Sequence, residues 1–150
     1  MTVGQDAPRI DARAKAIGET KFVGDLVFPG MVYGKLIRSP YAAAKITRID
    51  ARAAQALPGV VCVMTGDDVL DIDPYYGHAI KDRPLIAIDR VRFAGEPVVA
   101  IAAETSEIAA DAAALVEVDY EPMEALISID EALAEDAPHL HVTELLRKGL

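Results

Sequence analysis

Three histidines and a group of aspartates are the side chains with the clearest capacity for metal chemistry. His139-Leu140-His141 would place two imidazoles on one face of a strand, which is half of a possible zinc site. No cysteine lies near this pair and His78 is remote in sequence, so an exposed pair of histidines is the favoured interpretation. A small independent enzyme that uses His78 or the His139/His141 pair is the weakest of three functional hypotheses.

The aspartates lie in residues 66–90, the least regular part of the chain. They are Asp67, Asp68, Asp71 and Asp73. The spacing of an EF-hand is missing, including its glycine and its terminal glutamate, so a solvated acidic loop is favoured over a calcium site. A loop of this length in a compact domain is usually functional, disordered or packed against a partner, and the sequence leaves these alternatives open.

Other common catalytic and binding patterns are missing from the sequence. The ten glycines form neither a dinucleotide-binding nor a phosphate-binding loop, and there is no G-x-S-x-G motif. The single cysteine, Cys62, excludes an internal disulfide and an iron–sulfur cluster held by this chain alone. Because it lies in the apolar run Val60–Met64, we predict a buried, unreactive side chain. No catalytic, cofactor-binding or metal-binding residue is therefore assigned.

The net charge of −9 argues against a nucleic-acid partner. Residues 1–60 carry nine basic and five acidic side chains, net +4, whereas residues 61–150 carry six and nineteen, net −13. A basic face could include Lys21, Lys35, Arg38 and Arg48, but their scatter favours ordinary solvent-facing positions. The first 19 residues contain no apolar leader and no run approaches membrane-spanning length, so we expect no membrane partner and a cytoplasmic location.

Residues 91–122 predict a strand–helix–strand unit. Gly95 can take a positive φ before Pro97, and the apolar run Val98–Ala103 is typical of a strand covered on both faces. Thr105 or Ser106 can cap the helix that follows. The apolar stripe of this helix is Ile108, Ala112, Leu115 and Val116. Val116, Val118 and Tyr120 then alternate with acidic residues, which indicates a half-buried strand that ends at Pro122.

A shorter unit of the same kind is predicted between residues 45 and 64. Strands are expected at residues 45–50 and 59–64, with Asp50 capping a helix over residues 51–57 that Pro58-Gly59 ends. The connection is shorter than a parallel crossover usually needs, so the strand direction stays open. The predicted fold class is α/β (α+β), with a mixed sheet and two strand–helix–strand units.

Shorter elements are predicted outside these two units. A strand is expected over residues 31–38, ended by Ser39-Pro40, and Asp11 and Gly18 delimit a short helix. Ser128 and Glu131 form a capping box for another helix, which Pro138 closes. One more turn is predicted at residues 144–148.

An ordered set of motifs resembles a known domain. The motifs are Asp11–Gly18, Lys21-Phe22, Pro29–Pro40, Leu57–Val61, Thr65–Val69, Val91–Ala100 and Val116–Pro122. Over residues 8–135 this set resembles the α/β-hammerhead domain that opens the molybdopterin-binding subunit of the xanthine dehydrogenase, aldehyde oxidase and carbon monoxide dehydrogenase family. Residues 136–150 are interpreted as a tail that starts the molybdenum-binding part.

The resemblance implies a molybdenum hydroxylase, in which water supplies the inserted oxygen and electrons leave through iron–sulfur clusters, often to FAD. It places the molybdopterin cofactor and the catalytic residues in other domains, so this chain would be a structural domain or split subunit that packs against the cofactor-bearing part. The alternative is a free-standing binding or assembly module. A homo-oligomer is not excluded. The first hypothesis predicts an exposed apolar patch larger than roughly a few hundred Å².

Overall fold

A computed structural model of the chain describes residues 3–4, 8–78 and 80–141. The chain divides into two compact units, residues 1–31 and 32–150. In the first unit, helix α1 spans Ala12–Ala16 and a 3₁₀ turn spans Val23–Asp25. Gly18 has φ of +75°, as predicted for a residue that ends a helix. Asp11 occupies the N-cap position of α1 without capping it, because its carboxylate pairs instead with Arg9 and Lys15.

The second unit contains eight strands and three helices within its described residues. The strands are β1 (Tyr33–Arg38), β2 (Ala44–Asp50), β3 (Val60–Met64), β4 (Tyr75–Tyr76), β5 (Arg83–Pro84), β6 (Arg90–Val91), β7 (Pro97–Ala103) and β8 (Glu117–Pro122). The helices are α2 (Arg52–Gln55), α3 (Ser106–Ala114) and α4 (Ile129–Leu133), and a 3₁₀ turn covers Gly66–Val69. The helices and longer strands lie where the sequence predicted them, and the loop at residues 66–90 contains short paired strands.

The strands form sheets in the orders β1-β7-β3, β6-β2-β8 and β4-β5, and every pair in the described ranges is antiparallel. The α/β class with two strand–helix–strand units is confirmed, whereas the expected mixed sheet is replaced by separate antiparallel sheets. The physical reason is that each strand–helix–strand unit places its two strands in different sheets. The helix α2 leads from β2 in one sheet to β3 in the other, and α3 leads from β7 to β8. Neither strand–helix–strand unit therefore needs a parallel crossover.

The core is formed by the β1-β7-β3 sheet, the helices α2 and α3, and Ala44 and Val91 of the β6-β2-β8 sheet. Val98, Val99 and Ile101 of β7 are buried, as are Ala54 of α2 and Ala112 of α3. Because alanine side chains are short, α3 packs closely against β1, β7 and α2. The prediction that β7 is covered on both faces is confirmed.

The helix termini confirm some predicted caps and correct others. Thr105 caps α3 by accepting a hydrogen bond of 3.2 Å from the Ile108 backbone N–H, and Ser128 forms the predicted capping box with Glu131. Asp50 accepts a bond from the Arg52 N–H, but Ala51 holds the N-cap position of α2, which is shorter than expected. The helix α4 ends at Leu133, well before Pro138.

Two burial predictions are wrong. Cys62 is exposed, because β3 is an edge strand whose register with β7 shifts between Val60 and Cys62. On α3, Leu115 is 42% exposed, whereas Ala109 and Ala112 are buried. The close approach of α3 to the sheet places these small residues, and not the larger Leu115, at the centre of the contact.

Replacing Gly66 by alanine is expected to destabilise the second unit. An added Cβ would lie 2.6 Å from both the Ala87 carbonyl oxygen and the Ile88 Cα, and backbone atoms cannot move aside cheaply. Overpacking of this kind lowers the free energy of unfolding by about 1–3 kcal/mol. Urea unfolding of Gly66→Ala measures the loss. Gly34→Ala is the matched control, because its nearest neighbour would be 4.0 Å away. Equal stabilities for the two variants would contradict the prediction.

Candidate functional site

The histidines singled out in the sequence do not come together on a strand. His139-Leu140-His141 lies outside any strand, and the side chains of His139 and His141 line different cavities. His78 is exposed. Among residues 3–4, 8–78 and 80–141, no group of three or more His, Cys, Asp or Glu side chains is arranged to hold a metal ion. The turn predicted at residues 144–148 lies outside the described residues.

Two aspartates of the loop at residues 66–90 have a structural role. The Asp68 carboxylate accepts hydrogen bonds from the Thr65 backbone N–H at 2.7 Å and from the Thr65 hydroxyl at 2.9 Å, which holds the pKa of Asp68 below its usual value. Asp73 pairs with Lys81 at 3.2 Å. These carboxylates fix the conformation of their own loop.

The basic residues belong to different elements. Lys21 belongs to the first unit, Lys35 and Arg38 to β1, and Arg48 to β2 in another sheet. Arg38 donates a hydrogen bond of 2.9 Å to the Gly95 carbonyl oxygen, so it holds the turn before β7.

Arg48 is the centre of an exposed ionic network between β2 and β8. It donates to Asp50, Glu117 and Asp119 at 3.1, 2.7 and 2.8 Å, respectively, and Arg52 also binds Asp50. Hydrogen bonds from Arg52, with the charges of Arg52 and Arg48, hold the pKa of Asp50 well below its usual range. Bonds to Asp119 and Glu117 raise the pKa of Arg48. Because the groups are exposed, the network orients two strands and contributes little to stability.

A buried carboxylate lies in the turn that connects β6 to β7. Glu96 is only 2% exposed, and its Oε2 accepts a hydrogen bond from the Arg92 backbone N–H. The turn is held further because the Gly95 N–H donates to the Ser39 carbonyl at 2.8 Å and the Ser39 N–H donates to the Glu96 carbonyl at 2.9 Å. Gly95 has φ of +91°, which a residue with a side chain rarely adopts. The turn therefore fixes where the Glu96 side chain points.

Glu96 lines a cavity of about 200 Å³, together with Arg92 and His141. Glu96 Oε1 lies 3.5 Å from Arg92 Nη1, and Arg92 is itself only 11% exposed. Each of these three residues has a buried atom without a hydrogen-bond partner among the described residues: Glu96 Oε1, Arg92 Nε and His141 Nδ1. Buried polar atoms are almost always paired, so a cluster of three indicates a place where water, a ligand or a partner completes the bonding. We call the cavity and these three residues the Glu96 site.

The sequence did not predict the Glu96 site. Glu96 lies within the motif Val91–Ala100 and was given no role, although an acidic residue directly before a fully apolar strand is a signal that points to it. His141 was considered for zinc and not for this cluster, because 45 residues separate it from Glu96 and no local pattern links them.

Comparison with known proteins gives a consistent result. A family model described as "Aldehyde oxidase and xanthine dehydrogenase, a/b hammerhead domain" matches residues 17–124. The chain is 42% identical over 133 residues to a probable xanthine dehydrogenase subunit of Bacillus subtilis, covering 89% of this chain and 18% of that protein. It is 36% identical over 144 residues to the xanthine dehydrogenase molybdenum-binding subunit of Escherichia coli O157:H7, covering 89% and 19%.

The fold is similar to that of CO dehydrogenase from Oligotropha carboxidovorans. The TM-score is 0.84 at 36% identity, and the match covers 90% of this chain and 17% of that one. The chain thus spans less than a fifth of the length of these relatives. In the part of the chain that the structure describes, no helix has the length and apolar character that crossing a membrane requires.

Glu96→Ala is expected to lower the free energy of unfolding by about 3 kcal/mol, because it removes the nearer and buried counter-charge of the Arg92 guanidinium and leaves only the exposed Asp89, 3.8 Å away. It also removes the acceptor of the Arg92 backbone N–H. Chemical unfolding measures the loss. Glu121→Ala, an exposed glutamate on β8, is the control and should change stability by less than about 0.5 kcal/mol. A loss for Glu96→Ala no larger than for the control would show that the pair does not hold the turn.

Arg52→Gln is expected to raise the pKa of Asp50 toward the usual carboxyl value, because the largest cause of its lowering is removed. A lowered carboxyl pKa adds stability above the unfolded pKa and loses it as the pH falls through the folded pKa. The variant should therefore lose less stability on acidification. An NMR titration of the Asp50 carboxyl carbon measures the pKa, with Arg13→Gln as control. An unchanged Asp50 pKa would refute the assignment.

Proposed function

This chain belongs to the aldehyde oxidase and xanthine dehydrogenase α/β-hammerhead domain family, and on that premise we propose that it is the hammerhead part of a molybdenum hydroxylase. In this proposal its role is structural: it packs against the domain or subunit that carries the molybdenum cofactor. Residues 8–135 form the hammerhead domain, and residues 136–150 lead toward the cofactor-bearing part. The observation that carries the proposal is the family match over residues 17–124 in a chain much shorter than its relatives.

The Glu96 site does not fit the cofactor itself. Its volume of about 200 Å³ is below the roughly 300–1,000 Å³ of typical cofactor pockets. Asp82 and Glu96 also line it and offset the charges of Arg83 and Arg92, so the lining has no net positive charge to hold the phosphate of a pterin cofactor. In the proposed enzyme, therefore, the molybdopterin cofactor, the iron–sulfur clusters and any FAD belong to partner domains or subunits, and we assign no catalytic, cofactor-binding or metal-binding residue to this chain.

Exposed apolar side chains support a packing role. Val61 on β3, Phe93 in the turn before β7, and Ile127, Ile129 and Leu133 around α4 are each more than half exposed. Burial of such side chains against a partner is favourable by about 1.5–3 kcal/mol each. That these side chains form one continuous apolar patch stays a prediction. The compartment that we propose for this protein is the cytoplasm.

The proposal is tested by recovering the tagged chain from its own host grown with molybdate. We expect a molybdenum-containing protein to co-purify, with metal analysis and peptide mass spectrometry identifying it, and we expect the complex but not the isolated chain to oxidise hydroxylase substrates. An unrelated tagged domain is the control.

Two results would contradict the proposal. Recovery without any molybdoprotein would favour the free-standing assembly module. Molybdopterin binding and substrate oxidation by the isolated chain would show that its role is catalytic and not structural.

A further inference from the structure

Two residues that line the cavity of the Glu96 site have a buried hydrogen-bonding atom without a partner, one an acceptor and the other a donor. Glu96 Oε1 can only accept when the carboxylate is ionised, and Arg92 Nε can only donate. Both lack a hydrogen-bond partner among the described residues, and the Glu96 side chain is 2% exposed. The missing group must therefore both donate and accept.

The charges that line the cavity favour a neutral occupant. Arg83 and Arg92 supply two positive charges, and Asp82 and Glu96 supply two negative ones. An anion that approached Arg92 would meet the Glu96 carboxylate, and a metal cation that approached Glu96 would meet the Arg92 guanidinium. A main-chain segment is neutral and offers carbonyl acceptors and N–H donors from successive amides, so it matches both unpaired atoms.

The volume of the cavity limits the size of the group that can occupy it. Since a water molecule in the liquid occupies about 30 Å³, the cavity of about 200 Å³ has the volume of roughly seven waters, more than three polar atoms would order. Phe93 and Leu140 line the cavity and are 51% and 45% exposed. An occupant with apolar atoms beside its polar group would cover them, as a short polypeptide segment does.

We propose that the Glu96 site binds a main-chain segment of the molybdenum-binding part of the enzyme. Because the C=O and N–H of one trans amide point in opposite directions, a carbonyl of this segment accepts a hydrogen bond from Arg92 Nε and the N–H of a different amide donates to Glu96 Oε1, with His141 beside them. This inference rests on the proposed function. The relatives that the chain matches are about five times its length, which supplies the polypeptide that the site would take.

The first test replaces Glu96 by glutamine, which keeps the side-chain shape. Its carboxamide oxygen can still accept from the Arg92 N–H, so its NH₂ group faces the cavity and opposes the partner N–H. Because a hydrogen bond to a charged group contributes about 1.5–3 kcal/mol, we expect the Kd for the co-purified molybdoprotein to rise by about 10-fold or more. Arg92→Lys, which keeps the charge but lacks Nε, should weaken binding similarly.

The matched control is Glu121→Gln, the same chemical change at an exposed position, which should leave the Kd unchanged. Thermal unfolding of each variant verifies that it is folded. A second measurement keeps Glu96 and Arg92 intact: Phe93 is replaced by photoreactive benzoylphenylalanine, and cross-linked peptides are identified by mass spectrometry. We expect cross-links to one segment of the molybdoprotein, and their loss when Glu96→Gln is added.

The outcomes separate the two proposals. If a molybdoprotein co-purifies but position 93 gives no cross-link to it and the Glu96→Gln Kd equals that of the control, the amide site is overturned and the proposed function stands. A structure of the complex with ordered water only in the cavity would overturn it equally. If no molybdoprotein co-purifies, the proposed function fails and this inference fails with it.

Discussion

The antiparallel pairing of β7 on both of its edges is the constraint on which the rest of the second unit depends. Val98, Val99 and Ile101 are buried, so the backbone groups of this strand must find partners inside the protein. The strands β1 and β3 supply them, one on each edge. The helices α2 and α3 then pack on this sheet and carry the chain to the β6-β2-β8 sheet. The short alanine side chains follow from this close stacking, because a larger residue would separate the layers.

The same constraint explains a buried charge in an apolar fold. The chain must enter β7 in a fixed register, and the turn before it is held by Arg38, by Ser39 and by the positive φ of Gly95. This turn directs Glu96 inward, where an unpaired carboxylate would be strongly destabilising. Arg92 compensates with its backbone N–H and its guanidinium. Only one oxygen of the Glu96 carboxylate accepts a hydrogen bond. The other oxygen, Oε1, is left able to bind a further hydrogen-bond donor.

The helices and strands of this fold could be predicted from local sequence patterns. The contacts between residues that are distant in sequence could not be predicted in this way. The apolar run of β7, the cap at Thr105 and the capping box at Ser128 each involve residues within a few positions, so the sequence predicts them. The pairing of β1 with β7 joins residues as far apart as Tyr33 and Ala103, 70 positions in sequence, and neither strand contains a local pattern that identifies the other. The exposure of Cys62 follows from the edge position of β3, which is a property of the sheet. The Glu96 site was missed for the same reason.

Stability alone does not account for the pair of Arg92 and Glu96. Replacing a buried ion pair by well-packed apolar residues of similar volume is often neutral or stabilising. An apolar pair could hold the turn and close the cavity, yet the chain keeps a carboxylate, a guanidinium and an imidazole around a space with unmet hydrogen bonds. Polar groups that are left incomplete in this way discriminate sharply between partners, because only a partner with the matching donor and acceptor removes the desolvation penalty. For a domain that has to dock in one orientation on a much larger protein, as proposed, that selectivity is the physical reason for a polar site where an apolar pair could hold the same turn.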